Sequence, residues 1–445
     1  MKRVFSVILA MVLILSISAS LAADNGGVSL LKDVQHLKQS TIRMEAGAKV
    51  IYVDPVWIDD AKQDADIIFV THTHGDHYSI QDIKKLMKKD ATLVITEDGV
   101  DAAQKEGITN IKAVVPDKNY NVGGIRFKTV SAYNKDKPFH PKSNNWVGYI
   151  ITANNADYYF AGDTDVYPEM RYIKADVAFL PVGGTYTMTA QEAIEAANLI
   201  SPEIAVPIHF ADVVGNSVDA MNFVRGLDNG IKGVVLKDLL NGVSLLKQST
   251  IRIQGNKTIY FDPMGIEGEP KDADVIFISH SHGDHFSVDD IKKLAKDNAV
   301  LIVPGDCVKP VVDAGFTNIV TVSPSKSYEV DGLKFNTVPA YNIGKDFHKK
   351  ESNWMGFIVN VNGISYYFAG DTDMIPEMND IKASVVFLPV GGTYTMTSQE
   401  AVEAANIMNP LVAVPIHYYD VVGTKEDAQN FVKSLNSSIN GVLLK

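Results

Sequence analysis

Short apolar runs recur along the first half of the chain: KVIYVD (49–54), DIIFVTH (66–72), TLVIT (92–96), IRFKTVSAY (125–133), WVGYIIT (146–152), DYYFAGD (157–163), VAFLPV (177–182) and IAVPIH (204–209). Each is rich in β-branched and aromatic residues and predicts a strand. Three other stretches hold their apolar residues at helical spacing. Ser79 and Asp82 open one that aligns Ile83, Leu86 and Met87. Thr189 and Glu192 form a capping box ahead of Ala193, Ala196, Ala197 and Ile200, and a third helix is expected over about Val218–Leu227. Strands with helices outside them imply an α/β domain of two packed sheets. The pattern leaves the strand order open.

The whole pattern then returns. YFAGDTD (159–165) recurs at 367–373, LPVGGTYTMT (180–189) at 388–397 and VPIH (206–209) at 414–417, always 208 residues on. So constant an offset leaves almost no room for insertions or deletions. The one slip is near the start, where QSTIRMEAGAKVIYVDP (39–55) matches QSTIRIQGNKTIYFDP (248–263) with one residue fewer. The repeats are therefore expected over 27–237 and 238–445, each of domain size. The junction GVVLKDLLNGVSLL has no Pro-, Ser- or Gly-rich spacer. Two abutting halves are expected, an internal pseudo-dimer being one such packing.

A chain of 445 residues also exceeds what one core usually organises. Residues 1–22 stand apart: Lys2 and Arg3, an apolar run from Val4 to Ile17, then Ser20-Leu21-Ala22. This reads as an export signal cleaved after Ala22, against an uncleaved anchor as the competing reading. The mature protein is then expected to be secreted, periplasmic or on the cell surface, with no stable membrane insertion. Removing Lys2 and Arg3 takes the formal net charge from −12 to −14, which weighs against a nucleic-acid partner and leaves a small-molecule substrate. Cys307 is the single cysteine, so any metal must be held by nitrogen and oxygen.

Those atoms are abundant. Of 11 histidines, ten form five pairs at the 208-residue offset (72/280, 74/282, 77/285, 140/348 and 209/417), and His36 alone has no counterpart. Six belong to the nonamers THTHGDHYS (71–79) and SHSHGDHFS (279–287). His72 and His74 are two apart where a buried strand ends, so both face one way and can hold one ion. Gly75 is read as letting the chain turn, so that Asp76 and His77 aim at a second ion. Asp163 and His209 each sit at the polar exit of an apolar strand. Imidazole with carboxylate suits zinc, with manganese, iron or nickel as alternatives; calcium and magnesium prefer oxygen throughout.

The order Asp54, His72-x-His74-x-Asp76-His77, Asp163, His209 resembles the metallo-β-lactamase superfamily over essentially the whole of each repeat. The GDT, LPVGGTYTM and VPIH segments are similar to its branch of metal-dependent hydrolases related to ascorbate-6-phosphate lactonase. The resemblance implies an αβ/βα four-layer sandwich, duplicated in tandem, with a divalent metal pair in each repeat. It implies that Asp163 bridges the ions and that His209 completes the second. In the second repeat the same roles fall on His280, His282, Asp284, His285, Asp371 and His417.

Two departures stand out. Gln39 and Gln248 replace a histidine often found in relatives, and are read as substrate contacts. Asn134 and Asn342 stand where a ligand histidine is usual. His140 and His348, six residues on, are expected to reach back as the remaining ligands of the first metal, or else to line the pocket. Asp54 and Asp262 are read as orienting a ligand histidine from behind, against the plainer reading that Asp-Pro ends a strand. A metal pair lowers the pKa of a bound water to roughly 7, so the expected reaction is hydrolysis, with Asp76 or Asp163 (Asp284 or Asp371) moving the proton. Tyr186, Tyr394, Trp57 and the 134–145 loop are candidates to line a pocket for a small ester, lactone, phosphodiester, amide or thioester. A redox enzyme would need an iron pair, usually with an acidic residue inside the His-rich motif. A binding or regulatory protein would have lost ligands from one copy, and both copies keep every candidate.

Overall fold

The computed structural model describes residues 30–444. The expected export signal at 1–22, the first repeat's expected start at Gly27, and Lys445 lie outside the described residues.

The first sheet takes six strands in chain order: β1 (Val34–Lys38), β2 (Thr41–Ala46), β3 (Lys49–Val53), β4 (Ala65–Phe69), β5 (Met87–Thr96) and β6 (Ile111–Val114). Pairing is antiparallel as far as β3 and parallel from there on. Helices α1 (Ile80–Leu86) and α2 (Glu97–Lys105) flank β5 in the chain. The second sheet holds β7 (Asn119–Val122), β8 (Ile125–Ser131), β9 (Val147–Ala153), β10 (Ala156–Phe160), β11 (Val177–Pro181), β12 (Ile204–Ile208) and β13 (Lys232–Gly233). It is antiparallel as far as β10 and parallel beyond, with α3 (Ala190–Ile200) before β12 and α4 (Ser217–Gly226) after it. The second repeat has sheets of six and seven strands in the same order, Val243–Lys247 to Ile319–Thr321 and Ser327–Val330 to Asn440–Gly441.

Strand alternation sorts the side chains into layers. Ile51, Val53, Ile67 and Phe69 face the other sheet, where they meet Tyr149, Phe160, Phe179 and Val206. Tyr52, Ile68, Leu93 and Ile95 point outward onto Ile83, Leu86 and Ala103 of the helices. On the far side Tyr159, Ala178 and Leu180 pack beneath Ala193, Ala197 and Phe223. The result is the expected αβ/βα four-layer sandwich, made twice. Its central strands are covered on both faces, which is why they read as unbroken apolar runs.

Every expected strand is present, and most stop short of their last quoted residues. Asp54 follows β3, the His-rich segment follows β4, Asp163 follows β10 and His209 follows β12. These are carboxyl ends of parallel strands, where open α/β sheets place their ligands. The hairpin β1–β2, the short β6 and β7, and α2 lie outside the expected set. In α2, EDGVDAAQK is polar, and Gly99 fits because its missing side chain leaves room for Ile95 and Thr73.

The halves meet through unlike surfaces. Ser217 N donates to Gly363 O (2.8 Å) and Ser365 N to Ser217 Oγ (2.9 Å). Arg225 Nη2 donates to Pro410 O (2.7 Å) and Ser438 O (2.8 Å). The repeats therefore stack head to tail and are not related by a two-fold axis.

Candidate metal centres

After β4 the chain closes a turn by donating from His77 N and Tyr78 N to His74 O (2.9 and 2.8 Å). Gly75 is not needed for it. Its φ is not positive, and a Cβ there would meet nothing within 4 Å. The turn arises from backbone bonds, correcting the role expected of that glycine.

This turn divides the donors into two groups. His72, His74 and His140 offer ring nitrogens within 4.8 Å of one another, and so do ligand atoms of Asp76, His77, Asp163 and His209. His280, His282 and His348, and Asp284, His285, Asp371 and His417, form the same two groups in the second repeat. Asp163 lies between its groups: Oδ2 is 3.9 Å from His72 Nε2, 3.2 Å from His140 Nε2 and 3.2 Å from His209 Nε2, while Oδ1 is 3.1 Å from His77 Nε2. Asp371 repeats this at 3.8, 3.2, 3.2 and 3.2 Å.

The donors suit a metal on a test internal to the molecule. His72 Nε2, His77 Nε2, His209 Nε2 and Asp163 Oδ1 are buried without a hydrogen-bond partner, as are His280 Nε2, His285 Nε2, His348 Nε2 and Asp371 Oδ1. Leaving such atoms unsatisfied costs about 1–3 kcal/mol each. A cation at their common focus satisfies them together.

Electrostatics divide the donors. Burial, reinforced by the charge of His77, holds His72 well below the usual histidine range, in the neutral form that ligates. Burial opposes ionisation of Asp163, yet the charges of His209 and His77 keep it well below the carboxylate range. Burial also opposes ionisation of Asp76, and the nearby imidazole of His209 (3.4 Å) with the charge of His77 brings it to about 2. Conversely, burial lowers His209 while the charge of Asp163 lifts it to about 9.

Behind the rings lies a second set of contacts. Asp54 Oδ2 is 2.8 Å from His77 Nδ1 and accepts from Thr71 Oγ1 (2.7 Å), which in turn lies 3.0 Å from His72 Nδ1. One carboxylate thus aims two rings. Asp262 is 2.8 Å from His285 in the same way. Asn134 Oδ1 accepts from His140 Nδ1 (2.8 Å), and its Nδ2 donates to Asp165 Oδ1 and Tyr186 O, both at 3.0 Å. Asn134 therefore fixes the ring of His140. Gln39 is wholly buried and donates to Asp76 (3.3 Å); Gln248 donates to Asp284 (2.8 Å). Tyr186 packs edge-on against the exposed Phe139 (4.7 Å), as Tyr394 does against Phe347.

The sequence reading missed Trp146 and Trp354. Trp146 lies 4.9, 4.7 and 5.6 Å from His72, His74 and His140, with Nε1 donating to Asp98 (2.9 Å). Trp354 does the same beside His280, His282 and His348. Two of the three tryptophans obey the 208-residue offset, and that was the available signal. Trp57 is exposed.

A four-layer sandwich with His/Asp clusters at the carboxyl ends of its parallel strands defines a metallohydrolase type of fold and site. Comparison gives the family: the β-lactamase superfamily domain matches residues 33–209 and again 243–417. The chain belongs to this superfamily, among its metal-dependent hydrolases, and carries the domain twice. A UPF0173 metal-dependent hydrolase of Pyrococcus abyssi is 31% identical over 218 residues, covering 46% of this chain and 96% of the relative. Another from Caldivirga maquilingensis is 32% identical over 225 residues, covering 46% and 96%. Among solved structures, Igni18, a metallo hydrolase from Ignicoccus hospitalis, is 21% identical with a TM-score of 0.38, covering 46% of this chain and 94% of its own.

Proposed function

We propose that each repeat, 27–237 and 238–445, holds two divalent ions, zinc foremost, and hydrolyses a small ester, lactone, phosphodiester or amide. The observation that carries this reading is the position of Asp163, and of Asp371, between two donor groups with its oxygens turned to both. Bound divalent ions supply Lewis acidity and a water activated at neutral pH. His72, His74 and His140 would hold one ion, and Asp76, His77 and His209 the other, with Asp163 placed between the two groups. Asp54 and Asn134 fix the ring directions of His77 and His140, so each presents Nε2 inward. Asp76, whose side chain keeps 23% exposure where Asp163 keeps 3%, is the carboxylate placed to pass a proton between the site and solvent. The edge pairs Phe139–Tyr186 and Phe347–Tyr394 guide the substrate at the rim.

Elemental analysis of protein purified without added metal, followed by a hydrolase substrate panel, tests this. One ion or fewer per chain after reconstitution with zinc or manganese overturns it. The acidic surface supports a small-molecule substrate with no nucleic-acid partner. Export is part of the proposal and rests on residues 1–22. No helix among the described residues is long and apolar enough to cross a membrane. Terminal sequencing of the native protein should begin near Ala23; finding Met1 or Lys2 contradicts export.

A further inference from the structure

The head-to-tail contact falls on a particular piece of the first repeat. Its residues follow directly after His209. His209 N donates to Gln39 O (3.0 Å), and Asp212 Oδ2 accepts from Gln39 N (2.6 Å), so the segment is tied to the site at its start. His209 and Ala211 both have positive φ, 57° and 71°, a conformation that side-chain-bearing residues adopt only when held. Gly215 lies against Gly183, which itself abuts His209 O. The far end of the segment is held by the other repeat, through Ser217 N on Gly363 O and Ser365 N on Ser217 Oγ. Ser217 is fully buried there. Ala211 sits so close to Gly363 that a Cβ on the glycine would overlap its backbone and lie 2.6 Å from its Cβ.

Among the described residues the corresponding pieces make no such contact between repeats. Tyr419 occupies the place of Ala211 with a φ of 86° and is 64% exposed, and Lys425 occupies the place of Ser217. The turn of the first repeat that matches Gly363, Asn154–Asn155, is exposed. Gly363 precedes strand Ile364–Phe368, and Asp371 follows it, so the clamp grips the second repeat at the end opposite its own site.

We infer that the second repeat is a working part of the first repeat's site: its 363–365 turn clamps segment 209–217 and so holds His209 in place, while the second site receives no such support. The metal half of this inference rests on the proposed ligand role of His209; the clamp itself does not.

The test uses the full chain with Gly363→Ala, which overfills the contact, and Ser217→Ala, which only removes the hydroxyl. Hydrogen exchange of the metal-free protein should be slower over 209–217 than over 417–425. Both variants should speed exchange in 209–217 and leave 417–425 unchanged. Zinc retention against a chelator is then measured with the other site disabled, by replacing His280, His282, His285 and His417, or His72, His74, His77 and His209, with Ala. The variants should weaken the first site by about tenfold and spare the second, the size of effect typical of groups that orient ligands. Equal exchange in the two wild-type segments, or equal loss at both sites in both variants, overturns the clamp. If zinc binds at neither site while the exchange difference appears, the metal reading falls and the clamp stands. If zinc binds at both and the difference is absent, the reverse holds.

Discussion

Asp54 shows how far one side chain can organise a site. It lies against His77, reaches His72 through Thr71, and also accepts from Thr71 N (2.7 Å). Asp54→Ala should weaken zinc at the first site by about 10–100-fold. Competition with a chelator, in a background with His280, His282, His285 and His417 replaced by Ala, measures this, and an unchanged affinity would leave Asp54 as the end of a strand only. Asn134→Ala should act likewise on His140, by about tenfold, in the same assay. The histidines were legible because they recur at a fixed offset. The part played by Asn134 was not, since its partners Asp165 and Tyr186 lie 31 and 52 residues away and only the fold brings them to it.

Among elements, α1 does more than cover the sheet. Its Asp82 accepts from Trp57 N (2.8 Å), Ile58 N (3.3 Å) and Lys85 Nζ (2.9 Å), pinning the loop after Asp54 to the helix that follows the His-rich turn. Burial raises its pKa, but the bonds from Lys85, Ser79 and Trp57 outweigh that and leave it below the ordinary 3.8. A depressed carboxylate contributes stability that is fully present above its unfolded pKa and is lost as pH falls through the folded one. Asp82→Asn should therefore cost about 1–2 kcal/mol at pH 7, and the gap from wild type should close below the carboxylate range. Urea unfolding of the metal-free protein at the two pH values checks this; a gap that persists in acid contradicts it. Elements buried on both faces were plain in the sequence. The polar α2, with few large apolar residues and a fit that depends on Gly99 against Ile95 and Thr73, and β6 and β7, only four residues each, were not.

At the scale of the molecule, duplication was legible from the constant offset, and the manner of packing was not. Two repeats of one fold suggest a symmetric pair, whereas Ser217 in the place of Lys425 builds a contact only one repeat makes. The two sites nonetheless keep the same donors, so they should work separately. His72→Ala/His74→Ala and His280→Ala/His282→Ala should each remove part of the hydrolysis, and only the quadruple variant all of it. If either pair alone abolishes activity while the fold and the other site's metal survive, the sites are not independent. The most direct measurement is the metal content per chain of the wild type, the two double variants and the quadruple variant, each reconstituted with zinc and freed of excess. The expected result is up to four ions in the wild type, one fewer in each double variant, which keeps its Asp76/His77/Asp163/His209 or Asp284/His285/Asp371/His417 group, and two fewer in the quadruple. A wild type holding one ion or fewer, or a double variant that loses the ions of both repeats, would contradict two separate metal centres in this chain.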